Sequence, residues 1–138
     1  MLAMLAESDR YYAALYRAES NHLLDASALA GPEVTFVVAR MPARVGGFGA
    51  LIRHSAGFGE IKRMYVDPVM RGMKLGRSIL RALEDHARAE GLRCLRLETG
   101  VKQPEAIALY RSAGYEEIPP FADYQPDPLS IFMEKRLP

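Results

Sequence analysis

The stretch from Leu75 to Glu90 carries Leu75, Ile79, Leu83 and Ala87 at spacings of four, which puts all of them on one stripe of an α-helix. Such a helix has to bury its stripe against another layer, so the chain must fold around a layered core. The flanks identify the layer. Glu60 to Val66 reads as a strand stopped by Asp67-Pro68, and Leu92 to Thr99 reads as a strand in which Leu95 and Leu97 alternate with Arg96 and Glu98. Gly91 stands where a helix closes on a left-handed residue.

The rest of the chain fits around this unit. Apolar positions from Leu5 to Leu24 recur at near-helical spacing with an interruption at Ser20-Asn21, which predicts two short helices over about Ser8 to Ala30. Gly31-Pro32 ends them. Val34 to Ala39 predicts a buried strand, Met41 to Arg44 a turn, Val45 to His54 an antiparallel partner and Ser55 to Gly59 a second turn. Gln103-Pro104 opens another helix, with proline at its favoured first position, and Gly114 stops it after Ala113. Tyr115 to Ile118 and Leu129 to Lys135 predict a last pair of strands, joined by a loop holding Pro119, Pro120, Pro126 and Pro128. Helices, a meander and then a β-α-β-α-β-β run describe one α/β domain, 1–138, with a mixed sheet.

Bulk properties exclude several classes of function. The chain has 138 residues, 49% hydrophobic and 25% charged, as in an ordinary soluble domain. No apolar run approaches the roughly 20 residues that span a bilayer. The opening Met1-Leu2-Ala3-Met4-Leu5-Ala6 lacks the basic flank of a signal peptide. The one cysteine, Cys94, makes no internal disulfide and no cysteine-built metal site, so a cytoplasmic location is the expectation. No histidine pair has metal spacing, and no metal is expected. With 18 basic and 17 acidic residues, the charge balance offers nothing to a nucleic acid. Basic residues do concentrate between Lys62 and Arg81, which suits a small anionic ligand better than a polymer.

The segment Val66-Asp67-Pro68-Val69-Met70-Arg71-Gly72-Met73-Lys74-Leu75-Gly76-Arg77-Ser78 sharpens that expectation. A strand ends, and a basic loop with glycines runs straight into a helix N-terminus, where exposed N–H groups and the helix dipole favour an anion. Gly72 and Gly76 allow close approach of a phosphate, while Arg71, Lys74 and Arg77 add charge. A diphosphate suits this mouth. The spacing is neither G-x-x-x-x-G-K-[ST] nor G-x-G-x-x-G. It resembles the R/Q-x-x-G-x-G/A loop with which the GNAT acetyltransferases hold the pyrophosphate of coenzyme A, with Arg71 at the first position, Gly76 at the last and Lys74 where the family usually has glycine. A second resemblance runs from Gln103 to Tyr115. There the family pattern N-x-x-A-x-x-L-Y-x-x-x-G-F/Y meets Gln103 in place of asparagine, then Ala106, Leu109-Tyr110 and Gly114-Tyr115.

The resemblance covers roughly Val34 to the C-terminus. It implies a mixed, mostly antiparallel sheet flanked by helices, acetyl-CoA as cosubstrate, and N-acetyl transfer to a primary amine. By carry-over, Tyr110 becomes the acid that protonates the leaving thiolate. Glu60 becomes the base, as in some members, with Glu98 as the alternative; a strand-end carboxylate paired with Lys62 or Arg53 is the competing description of Glu60. The cofactor set is Met64, Tyr65 and Val66 on the splayed strand, Arg71, Gly72, Met73, Lys74, Leu75, Gly76, Arg77 and Ser78 on the loop and helix start, and Gln103.

Other residues stay open. His22 lines an acceptor pocket or a polar helix turn. His54 and His86 read as surface residues, and Cys94 as packing. Phe121, Asp123, Tyr124 and Asp127 form a wall for a cationic acceptor or simply a rigid loop. The family begins with a strand before its first helix. Here that strand is absent, supplied by Met1 to Ala6, or upstream, and its loss would leave a sheet edge for a homodimer partner to cover. An acyl-CoA sensor without catalysis is the alternative function, with Lys74 and Gln103 as its motive, and a nucleotide hydrolase ranks behind it. The acceptor is a small-molecule or peptide amine whose identity the residues do not name.

Overall fold

The computed structural model describes residues 5–7, 10, 31–41, 44–70 and 74–138. Six strands form one sheet: β1 (Val34–Met41), β2 (Arg44–Arg53), β3 (Gly59–Val66), β4 (Cys94–Gly100), β5 (Glu116–Ile118) and β6 (Ser130–Arg136). Helix α1 (Leu75–Ala89) connects β3 to β4, and α2 (Pro104–Ser112) connects β4 to β5. The sheet order is β1-β2-β3-β4-β6-β5. Every neighbouring pair is antiparallel except β3 and β4, which run parallel because α1 carries the chain back across the sheet. The mixed, mostly antiparallel α/β architecture expected from the sequence is the one found.

Element ends moved by a residue or two. The turn expected over Met41 to Arg44 narrows, because β1 includes Met41 and β2 begins at Arg44. Leu5, Ala6 and Glu7 are helical, so the described part of Met1 to Ala6 is not a strand, and β1 is the first strand among the described residues. Apart from Arg10, which is helical, the helices expected over Ser8 to Ala30 lie outside the described residues, as does His22. No helix among the described residues is long and apolar enough to cross a membrane.

Both helices end in the same way. Glu90 closes α1, Gly91 takes φ 78°, its N–H bonds to the Arg88 carbonyl at 3.0 Å, and the N–H of Leu92 reaches back to Ala87 at 2.9 Å. In α2, Gly114 (φ 100°) bonds to Arg111 and Tyr115 bonds to Tyr110. These are paired C-terminal caps that need a left-handed residue at the turn, which glycine supplies without a Cβ clash.

Period-two alternation separates two faces. Leu51, Ile61, Leu95, Leu97 and Met133 turn towards the helices and pack with Ile79, Leu80, Leu83 and Ala87 of α1 and with Tyr110 and Tyr115. Burying a side chain of that size contributes about 1.5–3 kcal/mol, so the α1 stripe alone ties the helix to the sheet. Glycines in β2 let the helix settle closely: a Cβ on Gly49 would lie 2.7 Å from Met64 Sδ and 2.9 Å from Ile79 Cγ2. The opposite face carries two aromatic groups. Phe58, Phe121 and Phe132 pack with Cys94, Ile118 and Tyr124, while Leu5, Phe48 and Tyr65 pack with Phe36, Val38 and Val45.

Candidate active site

A fault in the sheet creates the site. The β3–β4 ladder covers three pairs, from Gly59 with Leu95 to Ile61 with Leu97. Beyond them β3 continues on β2 while β4 continues on β6, so the two strands part. Just past the last shared pair, β3 also bulges: Phe48 faces Tyr65 and Ala50 faces Lys62, which sets Gly49 against both Arg63 and Met64. Buried Arg63 takes φ 59°, a left-handed conformation uncommon outside glycine. The extra residue restores alternation, so Met64 and Val66 pack towards the helices and Tyr65 joins the opposite face. The side chains of this expected cofactor segment are therefore packed, and a ligand in the cleft would meet the strand backbone.

The start of α1 lies beside the end of β3. Lys74, the residue before the helix, has φ 61° and ψ 25°. The position where the family usually has glycine is thus left-handed, and lysine adopts that conformation. A left-handed residue followed by a helical one turns successive N–H groups into a shared concavity that accepts an anion. Gly76 sits between the end of β3 and α2, where an added Cβ would lie 3.2 Å from Leu109 Cδ2 and 3.8 Å from Val66 Cγ2. Leu75 is half-buried beside it. Arg71, Gly72 and Met73 lie outside the described residues.

Two expected contributors have other partners. The Arg77 guanidinium donates to Ser112 Oγ of α2 at 2.6 Å. Ser78 directs its backbone N–H to the Lys74 carbonyl at 3.2 Å and its hydroxyl to the same oxygen at 3.3 Å. Gln103 is the residue before α2; its carbonyl accepts from Ile107 N–H at 3.1 Å, and its side chain does not cap the helix.

Tyr110 is buried on the helix face of the sheet, with its ring edge-on to Tyr115 at 5.8 Å between centroids. The C-terminal cap of α2 brings these two rings together, since the capping pair Tyr110 and Tyr115 is also a side-chain contact. Tyr115 donates to buried Glu84 at 2.8 Å, and Lys135 reaches the same oxygen at 3.1 Å. Desolvation first, and then the charge of Glu84, push the Tyr115 phenol well above its ordinary range.

Glu60 belongs to the other face, in the middle of the three-pair ladder and one residue before β3 and β4 part, opposite Arg96 in register. His54 Nε2 lies 2.8 Å from its Oε1. Tyr124 donates to its Oε2 at 2.5 Å, and Lys62 Nζ lies 3.8 Å from that oxygen while donating to the Tyr124 hydroxyl at 2.5 Å. Desolvation raises the Tyr124 phenol far above its ordinary range, reinforced by the Glu60 charge, so Tyr124 keeps its proton and remains a donor. Burial lowers the Lys62 ammonium, opposed by the charges of Glu60 and Glu98. Glu98 accepts from Ser130 Oγ at 2.7 Å on the neighbouring strand.

Of the partners weighed for Glu60, Lys62 is present and Arg53 is not: Arg53 binds Glu90, Thr35 and the Glu33 carbonyl. His54 is a correction. Expected on the surface, it is half-buried, its ring stacked on Phe58 at 4.4 Å and its Nε2 on Glu60. A histidine at the end of a strand, six residues before the candidate base, carries no signature of its own, and only the hairpin between β2 and β3 folds it back. His86 is exposed, as expected. Cys94 is partly buried, with its Sγ donating to Glu134 at 3.1 Å. In the proline-rich loop, Tyr124 and Phe121 face the sheet, whereas Asp123 is exposed and Asp127 accepts from the Leu129 N–H at 2.8 Å.

Known proteins resemble this chain in sequence and fold. The model of the acetyltransferase (GNAT) family matches residues 1–115. A protein of Azospirillum brasilense called IAA acetyltransferase is 52% identical over 138 residues, 99% of this chain and 90% of its own. A crystal structure from Klebsiella pneumoniae, provisionally described as an acyl-CoA N-acyltransferase, superposes with a TM-score of 0.86 at 44% identity, covering 99% of this chain and 88% of that one. The PaiA N-acetyltransferase of Thermoplasma acidophilum, solved in complex with coenzyme A, shares the fold at 21% identity and a TM-score of 0.66, over 76% of this chain and 62% of that one.

Proposed function

The chain belongs to the acetyltransferase (GNAT) family and is an acetyl-CoA-dependent acetyltransferase, and on that premise we propose that it acetylates a primary amine of a small molecule by direct attack in a ternary complex. The observation that carries this reading is the parting of β3 from β4 past Ile61 and Leu97, beside the bulge, with buried Glu60 one residue before it on one face of the sheet; buried Tyr110 packs on the other face. A gap in a sheet gives a thioester arm a slot lined by backbone. The two faces let amine and thiol chemistry proceed on opposite sides of it.

The residues that would hold coenzyme A fit the group. Left-handed Lys74 shapes a concave run of N–H groups into the first turn of α1, and the backbone of Arg71 to Arg77 would take the pyrophosphate. Ser78 and the Arg77 side chain, engaged elsewhere, would contribute least. Met64, Tyr65 and Val66 would direct backbone groups at the pantetheine arm and the carbonyl, where fixed dipoles favour developing negative charge. Gln103 would lie beside the arm at the start of α2.

Acetyl-CoA supplies an acetyl group activated as a thioester. The amine must lose a proton to attack, and Glu60 would take it through water. Collapse of the adduct breaks the carbon–sulfur bond, and the Tyr110 hydroxyl would protonate the sulfur. The relative called IAA acetyltransferase favours a small-molecule acceptor over a protein lysine.

Calorimetric titration with acetyl-CoA, coenzyme A and ATP tests the first half of this reading. Saturable binding of both coenzyme A species and none of ATP is expected, and absence of coenzyme A binding overturns it. Thiol release across a panel of amines tests the second half. Tyr110→Phe and Glu60→Gln variants that both keep full turnover at saturating substrate would remove the assigned acid and base.

A further inference from the structure

Glu60 presents a problem of access. Its side chain is 4% exposed, while that of His54 is 27% exposed, and the two are joined at 2.8 Å. A proton accepted at Glu60 has to leave before the next turnover. Burial closes most direct routes, and Tyr124 and Lys62 cover the other carboxylate oxygen. We propose that His54 is the relay through which Glu60 returns its proton to solvent, a role that rests on Glu60 being the base.

The step balances. A proton on Glu60 Oε1 passes to His54 Nε2, which regenerates the carboxylate and leaves an imidazolium. The Nδ1–H of that ring then gives a proton to water. That leaves the Nε2–H tautomer on the carboxylate, and the ring regains its Nδ1–H form when it turns from Glu60 and gives the Nε2 proton to water while Nδ1 takes one. Imidazole suits the task because one ring nitrogen can take a proton while the other releases one. Stacking on Phe58 at 4.4 Å fixes the ring plane.

The other groups around the pair do not offer the same exit. The Tyr124 hydroxyl is held between Glu60 and Lys62. Lys62, on β3, donates to Tyr124 and faces Glu98 of β4. Arg96 of β4, opposite Glu60 in register, lies over the Phe58 ring at 4.4 Å as a fixed cation. Glu98 is bonded to Ser130 of β6. His54 joins the carboxylate to the solvent-facing turn between β2 and β3.

The test uses thiol release from acetyl-CoA with n-butylamine, a small acceptor that needs little specific recognition. His54→Gln keeps a hydrogen-bond donor for Glu60, and His54→Phe keeps the stacked ring, so neither empties the position; thermal denaturation verifies that both fold. Both are expected to lose about tenfold in kcat, less than the about hundredfold loss from removing the base in Glu60→Gln. The KM for acetyl-CoA should stay unchanged, and the kcat of His54→Phe should climb with imidazole buffer concentration while the wild-type value does not. His86→Gln, on the exposed side of α1, serves as the unaffected control. Loss in Glu60→Gln with wild-type kcat in the His54 variants, or a His54 loss indifferent to imidazole, overturns the relay and leaves the base assignment standing. Full turnover in Glu60→Gln overturns both. Wild-type protein without amine-dependent release overturns the amine-acceptor reading and the relay with it.

Discussion

The Tyr124 hydroxyl donates to Glu60 Oε2 at 2.5 Å across 64 residues of sequence, tying the proline-rich loop to the strand that borders the cleft. The same oxygen of Tyr124 accepts from Lys62, so one phenol organises an anion and a cation. Tyr124→Phe keeps the ring that packs on Phe121 and Phe132 but leaves a buried carboxylate oxygen and an ammonium short of a partner. The expected cost is about 1–3 kcal/mol, read from urea denaturation. Turnover should fall as well, because Glu60 loses the contact that orients it. An unchanged denaturation midpoint would show that the hydrogen bond contributes nothing net.

Lys74 makes an opposite prediction. A non-glycine residue at φ 61° carries a steric penalty of about 1–2 kcal/mol, partly offset when glycine adds freedom to the unfolded chain. Lys74→Gly should therefore stabilise by roughly 0.5 kcal/mol, and Lys74→Val should destabilise by about 1–2 kcal/mol. Coenzyme A affinity should survive in the glycine variant, since the backbone conformation is retained. Loss of binding in calorimetry would mean that the ammonium itself holds the phosphate.

Close packing of the sheet on α1 and α2 separates two glycines. A Cβ on Gly47 would lie 2.6 Å from the Tyr65 carbonyl, backbone that cannot yield, whereas at Gly76 the nearest atom is 3.2 Å away at the mobile end of Leu109. Gly47→Ala should cost about 1–3 kcal/mol through overpacking, and Gly76→Ala markedly less. Equal denaturation midpoints for the two variants would contradict the assigned geometry.

Cys94 should resist thiol reagents. Burial first, and then the Glu134 carboxylate that accepts its proton, raise the thiol above its ordinary range. The thiolate is the nucleophile, so a raised pKa leaves less of it at neutral pH. Ellman's reagent at pH 7.5 is expected to modify the native protein slowly and the urea-unfolded protein at the rate of a free thiol. The native rate should climb only as the pH is taken above that of ordinary cysteine. Equal rates for native and unfolded protein at pH 7.5 would place Cys94 in open solvent.

Much of this protein could be read from local pattern. The stripe at Leu75, Ile79, Leu83 and Ala87 and the glycines at 91 and 114 depend on neighbours within one or two turns, and each was found close to its expected place. So was proline at the head of α2. The residues Arg71, Gly76, Leu109-Tyr110 and Gly114-Tyr115 carry the family pattern, which short segments encode. The family was accordingly legible.

What surrounds Glu60 was not. His54, Tyr124 and Lys62 come from the turn after β2, the proline-rich loop and β3, and no periodicity links them. The partners of Arg77 and Ser78 likewise follow from where α2 lies and how the first turn closes. Sequence by itself determined the order of the described elements, their ends to within a residue or two, and the family, because those depend on short-range sterics, on periodicity and on a matched motif. Tertiary structure decided which side chains share the buried charge of Glu60, because a carboxylate removed from water takes whichever donors the sheet and loops bring within hydrogen-bond reach.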